Sequence, residues 1–520
     1  MTDTIGAVLA ERITTGGQHP LLVCVDETTS YAEFHRRSAT VARALIALGA
    51  GKGTHVGLLF GNTGAFVVAM LAAARIGAVV VPFSTFSTAP ELRAQLADSD
   101  VRILLAARAY RSHRYDVRLG EALGQDIGAP VDPSRPLYCR AAPNLRHVVF
   151  QPADFEPLAD TIDDELLSAL ENDVGPHDPL AIIYTSGSTA EPKGVIHTHG
   201  SLIGHQRNLN GVRGLTARDV LFCNSPFFWI GGFAFALVAT LVAGNTLVCA
   251  DSRDPVQTAA LLRRVKPTVT NGFPATVHGL AEYLNTTRTE LPPIRRGNLY
   301  PIMSPDARPA DPELRHNMLG MTETGGPVLL DPDESDQPEH RRGSFGRPAP
   351  GFEVKVIAAG GAPVAVGDPG KMCIRGPYLM QRYHRRSREE SFDTDGWFHT
   401  EDQVRVDPDG FFYFLGRLGA MIKTSGANVS PLEVENAIRT TCGLTAHVLG
   451  TDDAAYGQVV TAVIALSDGQ QFDEADVRGR LAGALSSYKI PRRFVIVDHS
   501  DIPVLSSGKV DRRALRKCLR

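Results

Sequence analysis

Apolar positions in the first hundred residues follow two different spacings. The stretch that starts at Tyr31 (YAEFHRRSATVARALIALGA) has apolar side chains three or four residues apart, which predicts an amphipathic helix. A glycine turn and a short apolar run (HVGLLF) follow, and this run predicts a buried strand. Further segments continue the alternation (AFVVAMLAAAR, AVVVPF, APELRAQLADSD, VRILLA). Strands that alternate with helices in this way predict an α/β fold with a largely parallel sheet covered on both faces.

One run, 65–83, is apolar enough to raise the question of a membrane span, and a shorter apolar run covers 235–250. Charged, glycine and proline residues interrupt the first run, and a Gly-Asn pair interrupts the second. A buried helix that turns into a buried strand explains both runs better. We therefore expect no membrane span.

The pattern changes near Gly343 to short strands separated by glycine and proline (FEVKVI, KMCIRG, FFYFLG), which predicts an antiparallel β-rich subdomain. After a predicted linker at 416–420, helix and strand segments alternate again. We predict a large N-terminal domain, 1–416, of layered sheets and helices plus the β-rich subdomain, and a small α/β domain, 417–520. The polar segment 108–173 predicts only irregular structure.

Composition excludes several classes of function. The 53 basic and 57 acidic residues leave a formal net charge of -4, so the chain lacks the broad basic surface of a nucleic-acid binder. The seven cysteines are scattered and never have the spacing of a zinc site or a disulfide framework. The N-terminus does not read as a signal peptide. We expect a protein of the reducing cytoplasm.

The segment 181–201 (AIIYTSGSTAEPKGVIHTHGS) carries the most informative chemistry. An apolar strand ends in a loop with hydroxyl residues around Gly187, and Pro-Lys-Gly and a predicted helix follow. Hydroxyls and free backbone N–H groups at a strand end suit phosphate oxygens, and a lysine neutralises their charge. Pro192 precedes Lys193 where a Walker A loop has glycine, which excludes that loop type. Taken alone, such a segment is more often a flexible surface loop.

Further motifs downstream change that interpretation. They are GMTETGG (320–326), DGWFHTEDQ (395–403), GRLGAMIKTSGANVSPLEVE (416–435), SSYKIP (486–491) and SSGKVDRRAL (506–515). In this order, the motifs resemble those of the adenylate-forming superfamily of acyl-CoA synthetases, firefly luciferase and peptide-synthetase adenylation domains. The resemblance runs from about Tyr31 to Leu515 and is closest in character to acyl-CoA synthetases. It implies activation of a carboxylic acid by ATP as acyl-AMP, followed by transfer of the acyl group to coenzyme A.

The resemblance also implies roles for individual residues. Glu323 would hold Mg²⁺, Asp402 would accept hydrogen bonds from the ribose hydroxyls, and Arg417 would assist from the domain junction. The resemblance assigns catalytic roles to Lys509, Glu323 and Thr185. Lys509 would be catalytic because its ammonium group can reach the reacting carboxylate and the α-phosphate. The residues that the resemblance assigns to ATP binding are Thr185, Ser186, Gly187, Ser188, Thr189, Lys193, Gly320, Met321, Thr322, Asp402 and Arg417.

Two further groups of residues follow from the same resemblance. After adenylation, rotation of the small domain would bring Lys423, Ser425 and Gly426 to the site, where Gly426 lets the pantetheine arm pass. The acyl pocket would be formed by Trp229, Gly231, Gly232 and Phe273. Trp229 stands where many relatives have histidine, and the glycines would leave room for a bulky acyl group. No acidic residue follows an aromatic one there to bind an α-ammonium group, which disfavours an amino-acid substrate.

Several positions depart from the family pattern. Ala190 and Glu401 replace common glycines, Ala420 occupies the hinge position, and Leu319 stands where an aromatic side chain stacks on adenine. Two alternatives therefore stay open beside the coenzyme A ligase. One is an acyl-AMP ligase that loads a carrier protein, and the other is a nucleotide-binding paralogue with little or no turnover. The sequence leaves the acid, and whether the chain forms a homodimer, undetermined.

Overall fold

The helix predicted at Tyr31 begins where the sequence provides a cap. The computed structural model has a helix over Tyr31–Ala47, and the Ser30 side chain accepts a hydrogen bond from the N–H of Glu33. The buried residues of this helix recur every three or four positions: Tyr31, Phe34, Ser38, Val41, Ala42, Ala44 and Leu45. The sequence pattern thus determines both the start of the helix and the face that it buries.

The structure describes residues 3–127, 135–150, 156–185, 193–250, 254–417, 421–466, 470–498, 501–503, 510, 512–517 and 519. The helices are α1 (Ile5–Gly16), α2 (Tyr31–Ala47), α3 (Gly64–Arg75), α4 (Ala89–Asp98), α5 (Tyr115–Leu123), α6 (Glu156–Ala159), α7 (Asp164–Asp173), α8 (His199–Arg213), α9 (Ile230–Gly232), α10 (Ala239–Ala243), α11 (Pro255–Val265), α12 (His278–Thr287), α13 (Pro431–Cys442), α14 (Glu474–Ala484) and α15 (Arg512–Lys517). A π-helix, Phe233–Val238, lies between α9 and α10.

The strands are β1 (Pro20–Val23), β2 (Thr28–Ser30), β3 (His55–Leu59), β4 (Val79–Pro82), β5 (Ile103–Ala106), β6 (Ala109–Tyr110), β7 (His113–Arg114), β8 (His147–Val149), β9 (Pro179–Thr185), β10 (Lys193–Thr198), β11 (Val220–Cys223), β12 (Thr246–Val248), β13 (Val269–Asn271), β14 (Arg296–Gly297), β15 (Leu319–Met321), β16 (Gly326–Leu330), β17 (Arg347–Pro348), β18 (Glu353–Ile357), β19 (Gly370–Arg375), β20 (Arg382–Tyr383), β21 (Phe398–Val406), β22 (Phe412–Arg417), β23 (Ile422–Thr424), β24 (Ala427–Val429), β25 (Thr445–Asp453), β26 (Gly457–Leu466) and β27 (Arg493–Asp498).

The chain divides into two compact units. The larger unit comprises Met1–Thr85, Leu96–Tyr184 and Gly194–Gly416. The smaller unit comprises Arg417–Arg520 together with two short segments from earlier in the chain, Phe86–Gln95 and Thr185–Lys193. Within the described ranges, no helix combines the length and the hydrophobicity needed to span a bilayer.

Two sheets with parallel cores form the first half of the larger unit. One has seven strands in the order β20-β10-β9-β4-β3-β5-β8, and the other has six in the order β14-β13-β11-β12-β1-β2. Strands β3, β4, β5, β8 and β9 pair in parallel, whereas β20 runs antiparallel to β10. Helix α3 is buried on nearly every side, as expected for a helix that is apolar all round. The α/β fold class predicted from the sequence is confirmed.

The β-rich part of the larger unit begins with β15. A three-stranded sheet has the order β15-β16-β17, and an antiparallel four-stranded sheet has the order β18-β19-β21-β22. The strands predicted from FEVKVI, KMCIRG and FFYFLG are β18, β19 and β22, so this prediction is confirmed.

The smaller unit has a sheet of its own. Its strands have the order β24-β23-β26-β25, and β27 pairs in parallel with β26. Helices α13 and α14 supply Val434, Ile438, Val477 and Leu481 to a core that the sheet completes with residues such as Val448. The helix and strand alternation predicted for the tail is therefore present.

Two expectations about local structure were wrong. The segment 108–173 contains defined elements, among them α5, β8 and α7, because short amphipathic stretches such as Tyr115–Leu123 bury one face. Strand β10, rather than a helix, follows Pro-Lys-Gly, since Val195 and Ile196 pair with β20. The helix starts later, at His199, where Thr198 and Ser201 form a capping box.

Candidate active site

The two ends of the hydroxyl-rich loop lie at neighbouring strands. Thr185 is the last residue of β9 and Lys193 is the first residue of β10. The Thr185 hydroxyl donates a hydrogen bond to the Lys193 carbonyl oxygen over 3.5 Å. Ser186, Gly187, Ser188, Thr189 and Ala190 lie outside the described residues, so their phosphate-binding role stays a prediction.

The GMTET segment forms a tight turn between β15 and β16. Residues Thr322–Thr324 form one 3₁₀ turn, which ends at Gly325 with a φ of 69°. The Thr324 hydroxyl donates to the Gly326 carbonyl oxygen over 2.7 Å and accepts from the Met321 N–H over 3.3 Å. A Cβ on Gly320 would lie 2.8 Å from the Gly326 carbonyl oxygen, so only glycine fits there. The turn therefore fixes the backbone of the predicted nucleotide-binding residues.

Glu323 is buried within this turn. Glu323 is only 8% exposed. Its Oε1 accepts a hydrogen bond of 2.7 Å from the Tyr383 hydroxyl. The Glu323 carbonyl oxygen accepts a hydrogen bond of 2.8 Å from the Met380 N–H. Among the residues that the structure describes, no lysine, arginine or histidine forms an ion pair with this carboxylate.

The preceding residue of the turn is held from the opposite side. His197, on β10, is fully buried, and its Nε2 lies 2.6 Å from the Thr322 carbonyl oxygen. Burial lowers the pKa of His197 to about 4, which keeps the ring neutral near pH 7. Because a carbonyl oxygen only accepts, the neutral ring carries its proton on Nε2.

Sequence reasoning missed both Tyr383 and His197. Tyr383 lies in the stretch RYHRRSREES, where its charged neighbours suggest a solvated surface. His197 follows the apolar residues Val195 and Ile196 in β10, and a buried histidine at such a place is usually part of the core. The signal that could have found them is their place in two strands that pair with each other, and pairing between residues so distant in the chain is invisible to local periodicity.

Asp402 is buried in β21 of the four-stranded sheet. Its N–H donates to the Thr400 hydroxyl over 3.2 Å, and that hydroxyl donates to the Met372 carbonyl oxygen over 2.7 Å. The neighbouring Glu401 is exposed and lies 3.8 Å from Lys371, so the replacement of glycine there creates a surface ion pair. The side chain of Arg417, at the end of β22, and Lys509 lie outside the described residues, and their roles stay predictions.

The residues predicted to contact coenzyme A form a β-hairpin in the smaller unit. Strands β23 and β24 pair in antiparallel register, from Ile422↔Val429 to Thr424↔Ala427. Ser425 and Gly426 have φ values of 49° and 83°, the pattern of a type I′ two-residue turn. Gly426 is therefore explained by the turn, independently of any ligand. The role of Lys423, Ser425 and Gly426 in binding stays a prediction.

Two of the predicted acyl-pocket residues are in contact. The rings of Trp229 and Phe273 meet edge to face, with 5.9 Å between centroids and an interplanar angle of 85°. Asn224 holds the segment that carries Phe273, because its Oδ1 accepts a hydrogen bond of 3.2 Å from the Phe273 N–H. These two rings lie on loops that follow β11 and β13, neighbouring parallel strands of the six-stranded sheet.

The two glycines differ in their surroundings. A Cβ on Gly231 would make an ordinary contact of 3.8 Å with the Ser225 hydroxyl. A Cβ on Gly232 would lie 2.1 Å from the Pro226 carbonyl oxygen, so the chain's own backbone occupies the space that we assigned to an acyl group. The expectation of extra room at Gly232 is corrected accordingly. Leu319, predicted beside adenine, is 3% exposed and packs in the core of the β-rich part.

The side chains that could bind a metal ion here suit a cation that arrives bound to a phosphate ligand. No group of three or more His, Cys, Asp and Glu side chains that could hold a metal ion occurs in the described part of the chain. Mg²⁺ usually binds through one or two carboxylates and completes its octahedron with water and substrate phosphates. The carboxylate of Glu323, which forms no ion pair with any described residue, fits that mode of binding.

Comparison with known proteins covers most of the chain. The model of the AMP-binding enzyme family matches residues 9–384, and the model of the AMP-binding enzyme C-terminal domain matches residues 433–509. A feruloyl-CoA synthase of Amycolatopsis sp. is 28% identical over 500 residues, which cover 94% of this chain and 93% of that protein. A fatty acid–[acyl-carrier-protein] ligase, ScoC, of Streptomyces coeruleorubidus is 29% identical over 520 residues, with coverage of 96% and 93%.

Solved structures agree with the fold. The o-succinylbenzoate CoA synthetase (MenE) of Bacillus subtilis, bound with a product analogue, superposes with a TM-score of 0.77 at 24% identity and covers 98% of both chains. Because the family model matches well over half of the chain, the assignment rests on sequence as well as on fold. The chain belongs to the AMP-binding enzyme family of adenylate-forming enzymes.

Proposed function

We propose that this protein is an ATP-dependent acid–thiol ligase, which forms an acyl-AMP from a carboxylic acid and transfers the acyl group to coenzyme A with release of AMP and pyrophosphate. The observation that carries the proposal is the buried carboxylate of Glu323, which has no cationic partner in the described part of the chain. An unpaired buried carboxylate is costly unless a cation binds it. In an AMP-binding enzyme, magnesium bound to ATP is the cation that would do so.

The first half-reaction has an electrostatic difficulty that the site residues address. A carboxylate attacks the α-phosphorus, and its oxygen displaces pyrophosphate, so negative charge is crowded in the transition state. Thr185 and Lys193 would hold the β- and γ-phosphates, while Thr322 would contact the α-phosphate. Magnesium held by Glu323 would supply charge neutralisation. Asp402 would orient the ribose by accepting hydrogen bonds from its hydroxyls.

The second half-reaction needs different residues near the same acyl group. In the proposal, Lys509 supports adenylation and then leaves, and the hairpin that carries Lys423, Ser425 and Gly426 takes its place. The thiol of coenzyme A then attacks the acyl carbonyl carbon, and AMP leaves. One site would thus serve two half-reactions through alternating positions of the small domain.

A second acceptor has specific support. The similarity to the carrier-protein ligase ScoC is as extensive as the similarity to the feruloyl-CoA synthase. An acyl-AMP ligase that loads a carrier protein is therefore the alternative. Parallel assays with coenzyme A and with carrier-bound pantetheine separate the two, because only the true acceptor yields thioester at a rate comparable to that of adenylation.

We propose only the chemical class of the acyl substrate. The edge-to-face pair of Trp229 and Phe273 supports an uncharged acyl group with an apolar or aromatic body. A cytoplasmic location is proposed as well, supported by the scattered cysteines.

Acid-dependent exchange of labelled pyrophosphate into ATP, with a broad panel of carboxylic acids, tests the adenylation step. We expect exchange in the wild type and a loss of at least about 100-fold in Glu323→Ala, because the metal loses its protein ligand. Absence of exchange with every acid would favour the paralogue without turnover.

The proposed alternation of the small domain between two positions has a separate test. Lys509→Ala should cripple pyrophosphate exchange and largely spare thioester formation from a supplied acyl-AMP. For Gly426→Ala we expect the reverse: pyrophosphate exchange is largely spared and thioester formation from a supplied acyl-AMP is strongly reduced. Equal loss of both half-reactions in Lys509→Ala would contradict the alternation.

A further inference from the structure

The carboxylate of Glu323 has two oxygens, and the described residues engage only one of them. Oε1 accepts the hydrogen bond from the Tyr383 hydroxyl at 2.7 Å, and no described residue donates a hydrogen bond to Oε2. A hydrogen bond from a neutral hydroxyl to a charged oxygen is short and directional. It fixes the rotation of the carboxylate about its last bond.

The position of the Tyr383 hydroxyl is itself set by the sheet. Tyr383 pairs with Val195 in the antiparallel contact between β20 and β10. On either side of this pair, Gln381 N–H donates to the Ile196 carbonyl oxygen over 2.8 Å, and His384 N–H donates to the Gly194 carbonyl oxygen over 2.7 Å. Tyr383 is 8% exposed, so packing holds the ring as well as the backbone. The hydroxyl is therefore presented from a rigid element.

The same two strands also hold the backbone around Glu323. The Met380 N–H, just before β20, donates to the Glu323 carbonyl oxygen over 2.8 Å. His197, on β10, contacts the Thr322 carbonyl oxygen over 2.6 Å. His197 thus ties the turn to β10, which begins at Lys193, the residue after the hydroxyl-rich loop, while Met380 and Tyr383 tie the turn to the β20 segment.

We propose that Tyr383 is a positioning residue for the metal step: by occupying Oε1 of Glu323, it presents Oε2 to a divalent cation that ATP brings, as a single-oxygen ligand. This inference rests on the proposed function, since it takes Glu323 as the metal ligand. Hydrogen bonds from neighbouring groups to metal ligands commonly contribute 10- to 100-fold to metal affinity. In this inference Tyr383 acts through its hydrogen bond to Glu323.

The test measures metal binding directly. Electron paramagnetic resonance follows free Mn²⁺ as it binds to the full-length protein in the presence of a non-hydrolysable ATP analogue. Tyr383→Phe removes only the hydroxyl, and we expect Mn²⁺ to bind about 10-fold more weakly. In pyrophosphate exchange, the Mg²⁺ concentration for half-maximal rate should rise by a similar factor, while the rate at saturating Mg²⁺ falls less than about threefold.

A matched control comes from another tyrosine of the larger unit. Tyr413 donates its hydroxyl to the Asp407 carboxylate over 3.0 Å, so Tyr413→Phe removes the same kind of hydrogen bond at a different place. We expect wild-type Mn²⁺ affinity in this variant. A loss equal to that of Tyr383→Phe would mean that general destabilisation explains the effect, and it would overturn the inference.

The double variant distinguishes the inference from the proposed function. If Tyr383 acts only through Glu323, Glu323→Gln with Tyr383→Phe binds Mn²⁺ as weakly as Glu323→Gln alone. Additive losses, or unchanged affinity in Tyr383→Phe while Glu323→Gln weakens binding, would overturn the inference and leave the proposed function standing. Unchanged Mn²⁺ affinity in Glu323→Gln would instead remove the metal role of Glu323 itself.

Discussion

At the scale of single residues, three buried histidines of β10 and α8 are the least expected feature of the molecule. His197 contacts the Thr322 carbonyl oxygen, His199 accepts the Ile5 N–H at Nδ1 over 3.2 Å, and His205 contacts the Pro327 carbonyl oxygen over 3.1 Å. In each ring the other nitrogen has no hydrogen-bond partner in the described part of the chain. Such rings are stable only in the neutral form.

The histidines predict how stability depends on pH. Burial lowers the pKa of His197 and His199 to about 4 and that of His205 to about 3, from an ordinary value of 6.5. The unfolded chain therefore binds more protons than the folded chain below pH 6.5, and stability falls as the pH drops towards 4. Each histidine contributes a slope of up to about 1.4 kcal/mol per pH unit. Urea unfolding between pH 7.5 and 5 measures this slope.

Variants identify the groups responsible for the slope. His199→Asn keeps an acceptor for the Ile5 N–H and removes the titration, so it should reduce the slope by about 1 kcal/mol per pH unit. His340 is exposed, and His340→Asn is the matched control, with an unchanged slope. A wild-type stability that is constant from pH 7.5 to 5 would contradict the neutral, buried state of these rings.

At the scale of elements, the smaller unit contains a largely buried cluster of charges from three chain segments. The Lys489 ammonium group lies 2.6 Å from Glu91 Oε1 and 2.7 Å from Glu433 Oε1. The other oxygen of Glu91 accepts hydrogen bonds from the Ser486 hydroxyl over 2.7 Å and the Thr88 N–H over 2.8 Å. Burial alone would lower the pKa of Lys489, but the acidic groups around it outweigh burial and raise the pKa. The lysine therefore stays charged.

Removing the lysine should have a large effect on stability. Lys489→Met leaves Glu91 and Glu433, whose side chains are 17% and 19% exposed, without their cation, which should cost about 3 kcal/mol of unfolding free energy. Arg493 pairs with Asp453 on the surface of the same unit, 3.4 Å apart, and Arg493→Met should cost less than about 1 kcal/mol. Urea unfolding of the full chain at pH 7.5 compares the two variants. Equal losses would show that the cluster contributes no more than a surface pair.

At the scale of the whole molecule, the two compact units have separate cores. One core of the larger unit joins the two parallel sheets through α3 and contains Leu221, and the core of the smaller unit contains Ile438. Separate cores unfold as separate cooperative units when little apolar surface is shared.

Calorimetry of the full chain tests whether the two cores unfold independently, in which case it resolves two transitions. Ile438→Ala removes a fully buried side chain from the smaller core and should lower only one transition, by about 2 to 5 kcal/mol in stability. Leu221→Ala, equally buried, should lower only the other. A single transition that both variants lower would contradict independent cores.

The local periodicity of apolar residues predicts most of the helices and strands, but it does not predict the contacts within the candidate active site. The spacing in the helix at Tyr31 and the short runs of the β-rich part gave the correct elements, because each buries a face that its own residues define. The Glu323–Tyr383 hydrogen bond joins residues 60 positions apart, and it depends on the pairing of β20 with β10. Such pairings depend on the whole fold. Motif order therefore predicts a metal-binding role for Glu323, but no local pattern indicates Tyr383 as its hydrogen-bond partner.

The π-helix between α9 and α10 has a consequence for how this protein could diverge. Phe233–Val238 follows the loop that carries Trp229, and its wider turns hold one residue more than an α-helix of equal length. Because each residue of an α-helix turns the chain by about 100°, deletion of a single codon here would rotate the preceding aromatic loop relative to the helix. With Trp229 in the proposed acyl pocket, a change of preferred acid would then arise in one evolutionary step, without any substitution in the aromatic loop itself.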